Sequence, residues 1–140
     1  MKTPIRMALL TSVLLASSAT FGEELLQTST SWDGGDFHYP QGKAEVSSFI
    51  LTIVENEAPK FHCHPVPTLG YILSGTVEVE TKSGDKALLR EGESIVEVMR
   101  TVHRGTAIGG EVKILVFYAG AEGIPNTVLP DSEAAATYCD

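Results

Sequence analysis

Apolar and polar residues alternate with a period of two through Val77, Glu78, Val79, Glu80, Thr81 and Lys82, the signature of a strand with one wet face. Similar β-favouring runs cover Val46 to Val54, Lys60 to His64, Leu69 to Leu73 and Ala87 to Arg90. Others follow at Ser94 to Met99, Val102 to Ala107 and Val112 to Tyr118. Ser74-Gly75, Ser83-Gly84-Asp85, Glu91-Gly92-Glu93 and Gly109-Gly110 separate them, so turn signals recur roughly every ten positions. Before the tail no window carries a helical period, and only Asp131 to Tyr138 predicts a short helix. The expectation is one all-β unit, a sandwich or barrel, with no internal repeat and no linker.

The first stretch differs. Lys2 and Arg6 precede an apolar run from Met7 to Ala19, and small residues then offer cleavage after Ala19 or before Glu23. This layout predicts a signal peptide over Met1 to Gly22 and a periplasmic or secreted mature protein. The run is shorter than the ~20 residues a membrane span requires, so the mature chain is not expected to be membrane-embedded. The remaining organisation is a lead segment over residues 23–45, a domain over 46–120 and a tail over 121–140.

The 140 residues suffice for one ordinary domain, and 43% hydrophobic with 20% charged residues is a globular composition. The formal charge of −8, with no cluster of Lys or Arg, excludes nucleic acid as a natural partner. His62, Cys63 and His64 lie in one predicted strand, which puts both imidazoles on one face and Cys63 on the other. Two neighbouring ring nitrogens suit a divalent cation, and a folded sheet could bring His103 over them. Cys63 and Cys139 leave two alternatives: a disulfide tying the tail down, or a buried Cys63 with a free Cys139, the blander of the two.

The segment Asn56 to Gly75 (NEAPKFHCHPVPTLGYILSG) resembles the first cupin motif, G-x5-H-x-H-x3-E-x6-G. Gly92 to Ala107 (GESIVEVMRTVHRGTA) resembles the second, G-x5-P-x-G-x2-H-x3-N. His62, His64, Gly75, Gly92 and His103 fall on motif positions. The resemblance implies a jelly-roll barrel, the double-stranded β-helix, with a divalent metal (Fe, Mn, Ni or Zn) on His62, His64 and His103. It also implies a homodimer. Thr68 stands where the family carries a metal-binding Glu; its hydroxyl is a poor ligand, though it could hydrogen-bond a water. Val98, Arg100 and Ala107 replace the Pro, Gly and Asn of the second motif, so the turn before His103 is expected to be built differently.

Glu97 is the nearby carboxylate that could compensate, as a ligand or as a partner of an imidazole, against the simpler reading of a solvated strand residue. Tyr71 could line the pocket or sit in a core or interface. Arg100 and Arg104 flank His103, as substrate clamps or as ordinary surface charges. His38 has no partner in the pattern. Two functions fit: a dioxygenase-like or Lewis-acid metalloenzyme acting on a small, possibly anionic molecule, and a non-catalytic cupin that binds or senses a metal or small ligand in the cell envelope.

Overall fold

The computed structural model describes residues 22–57 and 59–140; the predicted signal peptide, apart from Gly22, lies outside them. Seven strands form in chain order: β1 (Ala44–Ile53), β2 (Thr68–Ser74), β3 (Thr76–Thr81), β4 (Lys86–Arg90), β5 (Ser94–Val96), β6 (His103–Ala107) and β7 (Val112–Ala121). One helical turn, α1 (Ala135–Tyr138), follows. The strands build a four-stranded sheet in the order β1-β7-β2-β5 and a three-stranded sheet in the order β4-β3-β6, with every pair antiparallel. Ile53, Ile72, Ile95, Val112, Ile114 and Val116 of the first sheet pack with Val77, Val79 and Ala107 of the second in one core. The β3 alternation read from the sequence is met, since Val77, Val79 and Thr81 are buried and Glu78 and Glu80 are not.

The expected jelly-roll barrel does not form. Both sheets stay open: β1 and β5 end the first, β4 and β6 the second. The predicted strand from Lys60 to His64 is the reason. It makes only the isolated bridges His62 to His103, Cys63 to Val128 and His64 to Met99. Pro65 and Pro67 follow at once, and proline has no N–H with which to extend a ladder. At the other edge β5 has three residues, too few to carry pairing onward.

The turn before His103 also departs from expectation. Arg100 replaces the motif glycine yet adopts the left-handed conformation a glycine would favour, at φ 65°. Its side chain is anchored, the Nε donating to Asp140 Oδ1 at 3.1 Å and Nη2 to the Thr137 carbonyl at 3.1 Å. Asn56 takes the left-handed turn expected of it, at φ 66°.

The cysteines are joined. Cys63 and Cys139 form a disulfide across 76 positions, with Cα atoms 5.8 Å apart, in place of the free Cys139 that the sequence favoured. Cys63 points away from the histidines, as period two required, into a small cluster with Val102, Val128, Ala135 and Tyr138. That cluster gives the short tail an apolar seat, which brings Cys139 within bonding reach. Closing so long a loop restricts the unfolded chain by about 4.5 kcal/mol in the chain-entropy model. Cys139→Ser is expected to lower the unfolding free energy by roughly 2–5 kcal/mol. Urea titration of both proteins checks this, and equal midpoints at equal slopes would refute it.

Candidate metal centre

His62 and His103 face each other as a hydrogen-bonded antiparallel pair. The His62 N–H donates to the His103 carbonyl at 2.9 Å and the His103 N–H returns to His62 at 2.8 Å. His64 is two residues on, and the Arg100 N–H bonds its carbonyl at 2.7 Å. These backbone contacts bring the three rings to an almost equilateral triangle, with centroids 4.8, 4.7 and 4.9 Å apart. One ligand atom from each lies within 4.8 Å of the others.

The rings are oriented as well as gathered. Nδ1 of His62 meets the Lys60 carbonyl at 2.9 Å, Nδ1 of His64 the Asn126 carbonyl at 2.9 Å, and Nδ1 of His103 the Thr101 carbonyl at 2.8 Å. A carbonyl only accepts, so each Nδ1 carries the proton and donates it. Each Nε2 therefore keeps its lone pair, the tautomer a metal ligand needs. Burial holds all three imidazoles below their ordinary pKa, His64 furthest, and for His62 and His64 the His103 ring adds to the depression. Three neutral, converging imidazoles are a donor set that fits a divalent ion of the zinc, iron, manganese or nickel type.

Thr68 is buried beside them, its hydroxyl donating to the Val66 carbonyl at 3.1 Å. Opposite it, the Glu97 N–H donates to the Thr68 carbonyl at 2.9 Å, continuing the β2–β5 ladder by one step. The carboxylate missing at position 68 is thus present on its cross-strand neighbour. Glu97 Oε2 lies 3.6 Å from His103 Nε2 and accepts from the Trp32 indole Nε1 at 3.2 Å. Burial raises the Glu97 pKa, partly offset by the Trp32 hydrogen bond and by the nearby His62. Trp32 is held in turn by its own N–H, which donates to the Val96 carbonyl at 3.0 Å. Sequence reasoning gave Trp32 no part in the site, and Asn126 and Thr127 were not singled out at all. The one signal at Trp32 was being the only tryptophan, in a polar lead.

The histidines and Glu97 border a cavity of about 300 Å³ between the sheets, walled by Ile53, Val77, Val79, Ile114, Val116 and Leu129. Tyr71 is elsewhere, in a groove on the outer face of the first sheet with Leu115 and Phe117. Arg104 pairs with Glu80 and Arg100 with Asp140, so neither guanidinium is spent on the cavity. His38 is exposed in the lead. The tail supplies Thr127, whose hydroxyl stands 3.3 Å from His64 Nδ1 and 3.2 Å from the Tyr118 hydroxyl.

Imidazoles kept neutral by the fold but free to protonate once unfolded make stability depend on pH. With folded values below the unfolded value of about 6.5, the unfolded chain binds more protons as pH falls, so stability is full above about 6.5 and declines below it. Glu97, with its raised value, acts in the opposite sense, but it is one group against three. Metal-free protein is therefore expected to lose unfolding free energy between pH 7 and 5.5, and His64→Gln to shrink that loss. Denaturant titrations at three pH values test both, and a wild-type curve independent of pH would contradict the assignment of neutral rings.

Comparison with known proteins follows the same line. The sequence model of the cupin domain matches residues 49–118. No curated protein matches the chain. Among solved structures it is similar to the DMSP lyase DddQ from Ruegeria pomeroyi DSS-3, at 20% identity and a TM-score of 0.54, over 63% of this chain and 45% of that one. It is similar to a cupin-like protein from Thermotoga maritima at 11% identity and a TM-score of 0.51, over 68% and 74% respectively. An oxalate oxidase gives 20% identity and a TM-score of 0.50, over 60% and 45%. The chain spans less than half the length of the lyase and the oxidase, and at these identities the likeness is one of fold.

Proposed function

This chain belongs to the cupin family, and from that premise we propose that it is an exported metalloenzyme for a small molecule, of dioxygenase-like or Lewis-acid type. One observation carries the reading: three Nε2 lone pairs converge beside a carboxylate at the end of an apolar cavity. His62, His64 and His103 would hold a divalent ion, and Glu97 would be its fourth ligand in place of the family's first-motif glutamate. Two donor atoms of one ion at ~2.1 Å stand roughly 3–3.5 Å apart, which the 3.6 Å between Glu97 Oε2 and His103 Nε2 nearly meets. A bound ion supplies Lewis acidity and, if it is iron or manganese, electrons for reaction with dioxygen.

The chain's own groups divide the remaining tasks. The Lys60, Asn126 and Thr101 carbonyls hold the ring tautomers, Trp32 orients the Glu97 carboxylate, and the apolar walls exclude water from the reacting end. A carboxylate at the site favours this reading over a non-catalytic binding or sensing cupin. Export rests on the leader and agrees with a disulfide, which persists in oxidising compartments.

Elemental analysis of untagged protein from its native compartment is expected to give about one divalent ion per chain, absent from His62→Ala/His64→Ala. Glu97→Gln is expected to weaken metal affinity about 10–100-fold in a chelator competition. Metal-free wild-type protein would refute the site, and an unchanged affinity in Glu97→Gln would remove that residue from it.

We further propose a homodimer through the outer face of the first sheet. β1 is a ten-residue strand with a single neighbour, and Val46 and Ile50 on its outward side are 67% and 60% exposed, next to exposed Phe117 and Leu69. Light scattering is expected to report a dimer for the wild type and a monomer for Ile50→Asp; a monomeric wild type would rule the dimer out.

A further inference from the structure

Along β6 the residues His103, Gly105 and Ala107 alternate inward, while Arg104 turns out to Glu80. Gly105 is therefore the first position on the cavity wall beyond a histidine of the proposed metal site. Its neighbours are Val77 and Val79 of β3 and Ile53 of β1. A Cβ added there would come within 3.2 Å of Val77 Cγ2, 3.6 Å of Ile53 Cδ1 and 3.8 Å of Val79 Cγ1. Gly105 lies outside the left-handed region, so no turn requires a glycine here. Its missing side chain lets the aliphatic wall pack closely here, so any added methyl would press on Val77 and narrow the cavity next to the histidines.

The charges bordering that room are few. Among the described lining residues Glu97 is the one carboxylate and the exposed Lys60 the one lysine, and both nearby arginines are engaged elsewhere. A divalent ion offset by one carboxylate leaves an uncompensated positive charge. Apart from the hydroxyls of Thr68, Tyr118 and Thr127, the rest of the described lining is apolar, so a second charged group would be buried there without a partner, which is costly. At about 300 Å³ the space equals about ten water molecules of liquid.

We propose that the ligand is a small amphiphilic acid: a monoanionic head at the histidine end, and a compact apolar body seated against Gly105, Val77, Val79 and Ile53. This rests on the metal reading above and goes beyond it by assigning the ligand class and naming Gly105 as the residue that sets the length accepted. The ligand has one charge and one apolar end. Dicarboxylates, sugars and cationic molecules fit the wall poorly.

The test titrates metal-loaded wild-type protein with acetate, butyrate, hexanoate and octanoate by calorimetry, with hexylamine as the cationic control and metal content measured on the same samples. Affinity is expected to rise about fourfold per added methylene until the cavity is full. Hexylamine should not bind. Gly105→Ala should lower the ratio of hexanoate to acetate affinity tenfold or more. Leu51→Glu, at a cavity-lining position already 39% exposed and so tolerant of change, should weaken hexanoate through like charge. Equal affinities for acetate and hexanoate in protein that holds its metal would overturn the ligand class and leave the metal reading standing. Hexylamine binding as well as hexanoate would do the same. Wild-type protein that holds no metal would sink the metal reading and this inference together.

Discussion

Everything at the centre of this molecule depends on three main-chain carbonyls. Lys60, Thr101 and Asn126 each accept an Nδ1 proton, and by doing so they turn three otherwise ambiguous imidazoles into three lone pairs aimed at one place. Two of those carbonyls lie two residues before the ring they hold, so His62 and His103 are oriented by their own local backbone. The third comes from the tail, 62 positions away, which makes His64 the ring whose tautomer depends on tertiary structure. Without that orientation the rings would still cluster, but their nitrogens would compete for protons instead of sharing a cation.

The open sheets follow from the same stretch. A segment that must deliver two imidazoles to one face and then leave the ladder has little use for further hydrogen bonding, and Pro65 and Pro67 end it. Both prolines are buried, and the Pro67 carbonyl accepts from the Ala119 N–H at 2.9 Å, leading into β2. Closure of a barrel is sacrificed at the point where the site is made.

Much of this was legible in the chain, for reasons that are local. Strand alternation, the turns at Gly75 and Gly84, and the single-face placement of His62 and His64 depend on neighbours within a few residues. The family resemblance supplied His103, which spacing alone could not attach to the pair. What escaped is long-range. The Trp32 indole reaches Glu97 across 65 positions, and the Cys63–Cys139 bond spans 76. The barrel was expected from the family resemblance, and strand patterning, which fits a sandwich as well as a barrel, could not show that the sheets stay open. Arg100 is a subtler case. Its left-handed backbone was hidden because the anchors that hold it, Thr137 and Asp140, belong to the tail.

The tail therefore sets the order in which the molecule can be finished. Asn126 and Thr127 reach back to His64, across 62 and 63 positions, and Cys139 to Cys63 across 76. A nascent chain that has already paired its strands still lacks the third carbonyl, the far wall and the covalent link. An ion captured at that stage would meet two oriented rings and one free to turn. The three rings are all oriented only once the segment around Asn126 has docked, so the geometry of the cradle is a property of tertiary structure and not of the strands that carry its rings.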